Sequence, residues 1–330
     1  MSSKNKILFF SLFLLLPIVS IVHLFVGEIN LTFSDFYNSL FKFKISNTNH
    51  IIFQEFRIPR LIMGIIAGSG LSIAGLLMQT MFNNPLAGPY VLGINSGSSL
   101  FVAFSIMTGI PFLTSDIGTI SSALIGAFIF GLIILSFSFV VRSHVSLLLI
   151  GIMLGSFTSA FVSILQSMSD ASQLKLFTMW AMGSLQQVEM AQIPLILTFF
   201  IIGVIASLFV IKPLNALILG ETQALMLGIH IKYIRLVLII ITAILTGVIT
   251  AYCGPIAFVG LAVPNLVKLL FKTQSHGVLL FGCFLIGSLF LLLCDISVQL
   301  LESTVHIPIN ALTSIIGAPF VIVIVLKRLA

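Results

Sequence analysis

Residues 57–97 read RIPRLIMGIIAGSGLSIAGLLMQTMFNNPLAGPYVLGINSG, an apolar run followed by a segment rich in proline, glycine and asparagine. No charged side chain follows Arg60 in the apolar run, which is about as long as a helix must be to cross a bilayer. Small residues recur along it at helical spacing: Gly64, Gly68, Ser72 and Gly75. Such residues let membrane helices approach closely. Pro85 and Pro89 then end the helix, because proline lacks an amide hydrogen. The stretch predicts a tightly packed membrane helix.

The composition of the whole chain agrees with a membrane protein. Of 330 residues, 59% are hydrophobic and 7% are charged, whereas a soluble domain carries about a quarter charged residues. The net charge is +6, but the basic residues are scattered at segment ends, which favours an orientation signal over nucleic-acid binding. The three cysteines lie in apolar segments and fit neither a disulfide ladder nor a metal knuckle.

Apolar runs of roughly bilayer length recur ten times along the chain. They cover residues 7–26, 58–80, 91–110, 118–140, 145–167, 192–211, 235–253, 255–271, 277–298 and 309–326. The sequence therefore predicts an all-α integral membrane protein with ten transmembrane helices, formed by a single domain over residues 1–330. The longest connection that could face the cytoplasm, residues 212–234, exceeds the usual length of a helix connection.

Basic residues set the predicted orientation. With both termini in the cytoplasm, the inner segments hold ten of the fifteen basic residues: Lys4, Lys6, Arg142, Lys212, Lys232, Arg235, Lys268, Lys272, Lys327 and Arg328. The outer segments hold the other five: Lys42, Lys44, Arg57, Arg60 and Lys175. The positive-inside rule therefore favours a multi-pass plasma-membrane protein with both termini inside.

Polar side chains within the predicted spans are few. Residues 151–163 carry a stripe of small and hydroxyl residues, in which Ser156, Thr158, Ser159 and Ser163 could line a passage for a polar cargo. Asp295 is the only charge inside a span, and we interpret it as a capped structural residue. A single carboxylate of this kind gives little support to an ion-coupled transporter. The scattered histidines are read as solvated or capping. With no P-loop, catalytic constellation or metal cluster, the sequence predicts a non-enzyme without cofactor or metal.

Three groups of motifs occur in order along the chain. They are Arg57-Ile58-Pro59-Arg60 with Asn84-Pro85-Leu86-Ala87-Gly88-Pro89 and Leu92-Gly93-Ile94-Asn95-Ser96-Gly97; then Leu219-Gly220-Glu221 with Ala224 and Leu227-Gly228; then Gly254 to Pro264 with Gly317-Ala318-Pro319-Phe320. Together they resemble the FecCD family of ATP-binding-cassette (ABC) importer permeases, which includes cobalamin, haem and ferric-siderophore permeases.

The resemblance implies a permease dimer, formed with a second copy or a paralogue around a central path, together with separate ATPase subunits and a soluble substrate-binding protein. It implies that Arg57 and Arg60 dock the binding protein. The 212–234 loop would couple to the ATPase through Leu219, Gly220, Glu221, Ala224, Leu227 and Gly228. Gln79, Asn84 and Leu86 would line the path or its gate. Glycine turns around residues 221–226 predict two short helices in this loop.

The sequence departs from the family pattern at several positions. Asn265 and Lys268 stand where the family commonly has His and Arg, and Gln299 replaces an outer arginine. The family's Glu-Leu-Pro reads His306-Ile307-Pro308. The expected cargo is an iron(III)-siderophore chelate, with haem or cobalamin as alternatives. An ion-coupled secondary transporter and a membrane-embedded enzyme are the competing classes.

Overall fold

The computed structural model describes residues 3–27, 29, 31–141, 143–302, 305 and 307–329, and their secondary structure is entirely helical. The α-helices are α1 (Ser3–Phe25), α2 (Phe33–Phe41), α3 (Thr48–Ile51), α4 (Ile58–Met81), α5 (Ile94–Met107), α6 (Pro111–Thr114), α7 (Asp116–Val140), α8 (His144–Ser167), α9 (Ala171–Ala181), α10 (Ile193–Phe209), α11 (Ile211–Leu217), α12 (Glu221–Met226), α13 (Ile231–Cys253), α14 (Val259–Phe271), α15 (His276–Leu301) and α16 (Ile309–Leu329). A π-helical turn, Ile52–Arg57, joins α3 to α4.

Each of the ten predicted spans contains one of these helices. Seven helices of the described chain are long and apolar enough to cross a membrane: Lys4–Phe25, Thr48–Met81, Asp116–Val140, Val145–Ser167, Met190–Phe209, Ile231–Cys253 and His276–Leu301. Shorter apolar helices occupy the other three predicted spans: Ile94–Met107, Val259–Phe271 and Ile309–Val323. The count of ten transmembrane helices stays a prediction.

Helix α4 lies at the centre of the bundle. In its most apolar stretch 83% of the residues are buried, against 17% in α1. The small-residue stripe explains this position, because a Cβ at Gly68 would lie 2.2 Å from the Gly287 carbonyl oxygen of α15. A Cβ at Gly75 would lie 1.7 Å from the carbonyl oxygen of Gly260 in α14. Glycine therefore permits two backbone crossings on opposite parts of one helix.

A second close crossing joins α5 to α7. A Cβ at Gly97 would lie 2.5 Å from the Gly126 carbonyl oxygen, and a Cβ at Gly126 would lie 2.3 Å from that of Gly97. Ser98 reinforces this contact by donating its hydroxyl to the Ala123 carbonyl oxygen at 3.0 Å. The predicted role of small residues as helix contacts is confirmed here and along α4.

The chain between α13 and α14 is unwound, and the predicted span 255–271 becomes helical only at Val259. Gly254 (φ +66°) and Phe258 (φ +65°) both have left-handed backbone conformations that interrupt a right-handed helix. Neighbouring segments satisfy the freed amides. Ile256 N–H donates to the Tyr90 hydroxyl at 3.2 Å, and Ala257 N–H donates to Asn310 Oδ1 at 2.9 Å. Irregular backbone inside a membrane protein needs such internal partners.

Candidate functional site

The two predicted docking arginines line one open pocket of about 900 Å³ at the end of the bundle where α4 begins. Arg60 binds Asp295 of α15 through two bonds, Nε to Oδ2 at 2.7 Å and Nη2 to Oδ1 at 2.9 Å. His23 of α1 donates from Nε2 to the same Oδ2 at 2.7 Å. Arg57 and Arg60 therefore face the same pocket, as their spacing of three residues predicts.

Arg57 has a different environment from Arg60. Its Nη1 donates to Gln299 Oε1 at 3.0 Å, and its guanidinium packs against Gly27, where a Cβ would lie 2.3 Å from Nη2. Among the described residues, no carboxylate lies within 4.0 Å of Arg57. Arg60, in contrast, also lies 3.8 Å from Glu302. Arg57 is therefore the less neutralised of the two cations.

The fold holds the two predicted docking arginines largely buried in the wall of the pocket. Both arginines are 8% exposed on the isolated chain. The expected structural role of Asp295 is confirmed, but its partners are the side chains of His23, Arg60 and Gln299 rather than a helix cap. The pocket rim includes Gln186, which donates to Glu302 Oε1 at 2.7 Å.

The proline-rich segment after α4, residues 83–89, lies at the opposite end of the bundle and is called the Asn-Pro segment below. Asn83 opens it in a left-handed conformation with φ +46°. Asn84 Oδ1 then accepts the Leu86 N–H at 2.9 Å, which stabilises the turn after α4. Leu86 is exposed on the isolated chain.

Polar side chains of α14 and α4 hold the Asn-Pro segment in place. Asn265 Nδ2 donates to the Pro85 carbonyl oxygen at 2.8 Å. Gln79 is buried and bridges two groups of α14, because it donates to the Leu261 carbonyl oxygen at 3.1 Å and accepts from Lys268 Nζ at 2.9 Å. Asn265 and Lys268, two departures from the family pattern, thus take part in packing around this segment.

The predicted hydroxyl stripe on α8 divides between two faces of the helix. Ser156, Ser159 and Ser163 are exposed on the isolated chain. Thr158 is 1% exposed and donates to backbone carbonyl oxygens of its own helix. The grouping of Thr158 with the three serines is therefore wrong, since its position along the helix turns it toward the bundle. The three serines form one uncharged polar face, called the α8 serine face below.

The 212–234 loop contains the two predicted short helices, α11 and α12, which confirms that expectation. Gly220 (φ +105°) and Gly228 (φ +79°) make the turns on either side of α12. Exposed apolar side chains surround that helix: Leu219, Leu225, Met226 and Leu227. Ala224 is fully buried with Ala216 and Ile231, so it packs the loop rather than presenting a surface. Glu221 Oε1 accepts from Arg235 Nη2 at 2.7 Å.

Several residues of these sites could not be assigned from sequence. His23 and His276 are 0% and 1% exposed, so the expectation of solvated or capping histidines is wrong for both. An imidazole inside an apolar run is the signal that could have marked His23. His306 and Arg142 lie outside the described residues. No group of three or more His, Cys, Asp or Glu within the described residues could hold a metal ion.

This bundle closely matches a solved membrane transporter. The fold superimposes on an ABC transporter assigned to the metal-chelate type, captured in an inward-facing conformation, with a TM-score of 0.86 and 30% identity. The match covers 98% of this chain and 99% of that one. The molecule is therefore of the ABC importer permease class, a multi-pass protein of the inner membrane. Its chain belongs to the FecCD transport family, whose model matches residues 14–327.

Two named relatives match nearly as much of the chain. The hemin transport system permease protein HmuU of Yersinia pestis is 32% identical over 322 residues, which are 96% of this chain and 94% of that protein. The vitamin B12 import system permease protein BtuC of Salmonella newport is 34% identical over 291 residues, 86% of each chain. Family membership implies ATPase and binding-protein partners and a second permease subunit.

Proposed function

We propose that this chain carries an iron(III)-siderophore-type chelate from a soluble binding protein to the cytoplasm. Two permease subunits, either identical or paralogous, enclose the path. A separate pair of ATPase subunits hydrolyses ATP, and the ten helices place both termini in the cytoplasm. The motifs resemble the FecCD family as a whole, and ferric siderophores are the commonest cargo of that family, which supports this choice.

The α8 serine face is the observation that carries the transport path. Ser156, Ser159 and Ser163 are exposed on a helix that is apolar enough to span a membrane. Ser156 and Ser163 donate to carbonyl oxygens of their own helix. Their exposed oxygens can still accept hydrogen bonds, which suits a hydrated passage between two subunits. Hydroxyl groups without charge suit a bulky chelate that is polar over its surface.

Haem or cobalamin is the second candidate cargo. The favouring observation is that the relatives named above are hemin and vitamin B12 permeases. A serine-lined passage can pass any of these bulky molecules, because the lining supplies hydrogen bonds without a fixed charge. Selection among them then rests with the binding protein.

An ion-coupled mechanism has weaker support. Asp295, the intramembrane carboxylate, is engaged by Arg60 and His23 and is 1% exposed. Ion-coupled transporters place such groups at the substrate and ion site near the midplane. A carboxylate held in a bidentate pair serves packing rather than ion exchange.

Docking and coupling roles follow from the two ends of the bundle. We assign the arginine pocket to the binding protein, with an acidic side chain of that protein approaching Arg57. The 212–234 loop is assigned to the ATPase, which would cover the exposed apolar side chains around α12. The Asn-Pro segment is assigned to the inner gate, with Asn84 and Leu86 at its mouth and Gln79 behind them.

The cargo proposal is tested by uptake into proteoliposomes that contain the permease, its ATPase and its binding protein. Labelled iron(III) hydroxamate and catecholate chelates, haem and cyanocobalamin are offered in parallel. We expect ATP-dependent uptake of an iron chelate, with the other two cargoes transported at least tenfold more slowly. Preferred uptake of haem or cyanocobalamin would replace the siderophore assignment and keep the permease class.

A further inference from the structure

One buried histidine joins three helices at the loop end of the bundle. His276, the first residue of α15, places Nδ1 2.9 Å from Asn215 Oδ1 on α11. Its Nε2 lies 2.8 Å from Thr80 Oγ1, in the last turn of α4. The backbone N–H of His276 also donates to Asn215 Oδ1 at 2.9 Å.

Hydrogen-bond chemistry gives each ring nitrogen a defined role. The Asn215 Oδ1 atom accepts the backbone N–H of His276, so the adjacent Nδ1 must carry a proton and donate to it. Nε2 of the neutral ring then accepts the single Thr80 hydroxyl proton, in competition with the Leu76 carbonyl oxygen 2.9 Å from the same hydroxyl. An imidazole is thus fully satisfied between two helices, and an apolar side chain of similar volume would leave both partners without these bonds.

Asn215 connects this histidine to the proposed ATPase surface. The next residue, Ala216, packs in one small cluster with Ala224 of α12 and Ile231 of α13. The exposed apolar residues of α12 therefore rest on a helix that is itself bonded to α15. A displacement of α12 would reach the bundle through α11.

Thr80 connects the same histidine to the proposed inner gate. Its neighbour Gln79 bridges Lys268 and the Leu261 carbonyl oxygen of α14. Three residues after Thr80, Asn83 turns the chain into the Asn-Pro segment. The histidine is consequently bonded on one side to the ATPase-contacting loop and on the other to the helix end that carries the gate.

We infer that His276 is a positioning residue that links the 212–234 loop to the Asn-Pro segment, so that movement of α12 is passed to the inner gate. The inference rests on the proposed function, because it assigns the ATPase surface to α12. Packing alone would make His276 important for folding, but it would not make transport per ATP depend on Asn215, which is exposed on the protein surface.

The test compares cargo transported per ATP hydrolysed in proteoliposomes holding the complete transporter. Asn215→Leu removes both bonds between Asn215 and residue 276, and His276→Leu removes the ring bonds to Asn215 and Thr80 while keeping the backbone N–H bond. The double variant combines the two changes, and Asn215→Asp keeps the acceptor oxygen. Thr273→Val is the matched control, because Thr273 lies in the connection just before α15 and, within the described part of the chain, its hydroxyl oxygen accepts one bond, from the Ser275 N–H at 3.2 Å. Assembly is checked by the amount of ATPase that co-purifies.

We expect Asn215→Leu to lower the transport-to-ATP ratio at least fivefold with normal assembly, and Asn215→Asp and Thr273→Val to retain it. The transport-to-ATP ratio of the double variant should be no lower than that of the more impaired single variant, because both substitutions interrupt the same series of contacts. An unchanged ratio in Asn215→Leu, or fully additive losses, would overturn the inference while leaving the proposed function intact. Absence of ATPase from the wild-type preparation would instead refute the proposed function, and the inference with it. The exposed Asn215 keeps the test decisive even where His276→Leu does not fold.

Discussion

Arg57 and Arg60 lie three positions apart in the chain, yet in the fold they bind different partners. Arg60 neutralises Asp295 in a bidentate pair, and Arg57 has one neutral partner, Gln299. A buried pair that loses one member leaves an uncompensated charge, which is far more costly than a lost neutral hydrogen bond. The two arginines should therefore respond differently to the same substitution.

We expect Arg60→Gln to destabilise the permease by about 3–5 kcal/mol, because Asp295 loses its guanidinium. Arg57→Gln should cost about 1 kcal/mol and leave expression unchanged, since it removes one bond to a neutral group. Thermal unfolding in detergent measures both effects on stability. Binding-protein affinity at low and moderate salt tests the docking role of Arg57. Our assignment requires Arg57→Gln to weaken docking.

Equal thermal stability of the two variants would contradict the asymmetry. Unchanged docking by Arg57→Gln at low salt would remove the arginine pocket from the docking surface. Salt matters because the attraction between charges near a surface is screened over about 8–10 Å at physiological ionic strength.

At the scale of elements, the close helix crossings depend on glycine, which has no side chain to keep the backbones apart. Gly75 meets the Gly260 backbone, where no side chain can move aside to make room. Gly277, in the first turn of α15, has no neighbouring atom within 4 Å of the point where a Cβ would lie. Substitution by alanine adds the same methyl group at both positions, so Gly277 serves as the control for Gly75.

Gly75→Ala should destabilise the bundle by about 1–3 kcal/mol through overpacking. Gly277→Ala should be neutral or favourable by up to about 1 kcal/mol, because alanine is the better helix former. Detergent thermal unfolding of both purified variants checks this. A tolerated Gly75→Ala would mean that α4 and α14 do not cross as closely as the fold shows.

The proposed ATPase surface is a second property of an element. Met226 is 82% exposed next to Leu225 and Leu227, and we expect Met226→Glu to reduce co-purified ATPase at least tenfold by placing a charge in an apolar contact. Gln274→Glu, at an exposed position in the connection between α14 and α15, should retain it. Normal association of Met226→Glu would argue against α12 as the contact.

Ala224, although it belongs to the predicted coupling loop, is not a useful probe of that contact. A bulky residue there would distort the loop from within, since Ala224 is fully buried. A loss of association by such a variant would report packing rather than recognition.

Much of the element layout could be predicted because apolar runs of bilayer length are a strong signal. The left-handed conformation of Phe258 could not be predicted, because bonds to distant residues, among them Tyr90 and Asn310, hold the unwound segment. The same limit applies to the pocket. His23 and Asp295 are 272 residues apart in sequence, and no local pattern reports a pair that tertiary packing creates.

For the whole molecule, the proposed orientation places the arginine pocket outside and the 212–234 loop inside. Lys175→Cys should therefore react with an impermeant thiol reagent in intact cells, and Lys272→Cys should be shielded until the cells are opened. The native cysteines are buried, so they add little background. Labelling of Lys272→Cys in intact cells would overturn this topology.

The central claim is that this chain moves cargo only as part of an ATP-driven complex. The most direct measurement is cargo uptake by proteoliposomes containing the permease with and without its ATPase and binding protein, in the presence and absence of a protonophore. We predict uptake only with ATP and both partners, undiminished by the protonophore. Uptake by the permease alone, driven by an ion gradient and abolished by the protonophore, would contradict the account.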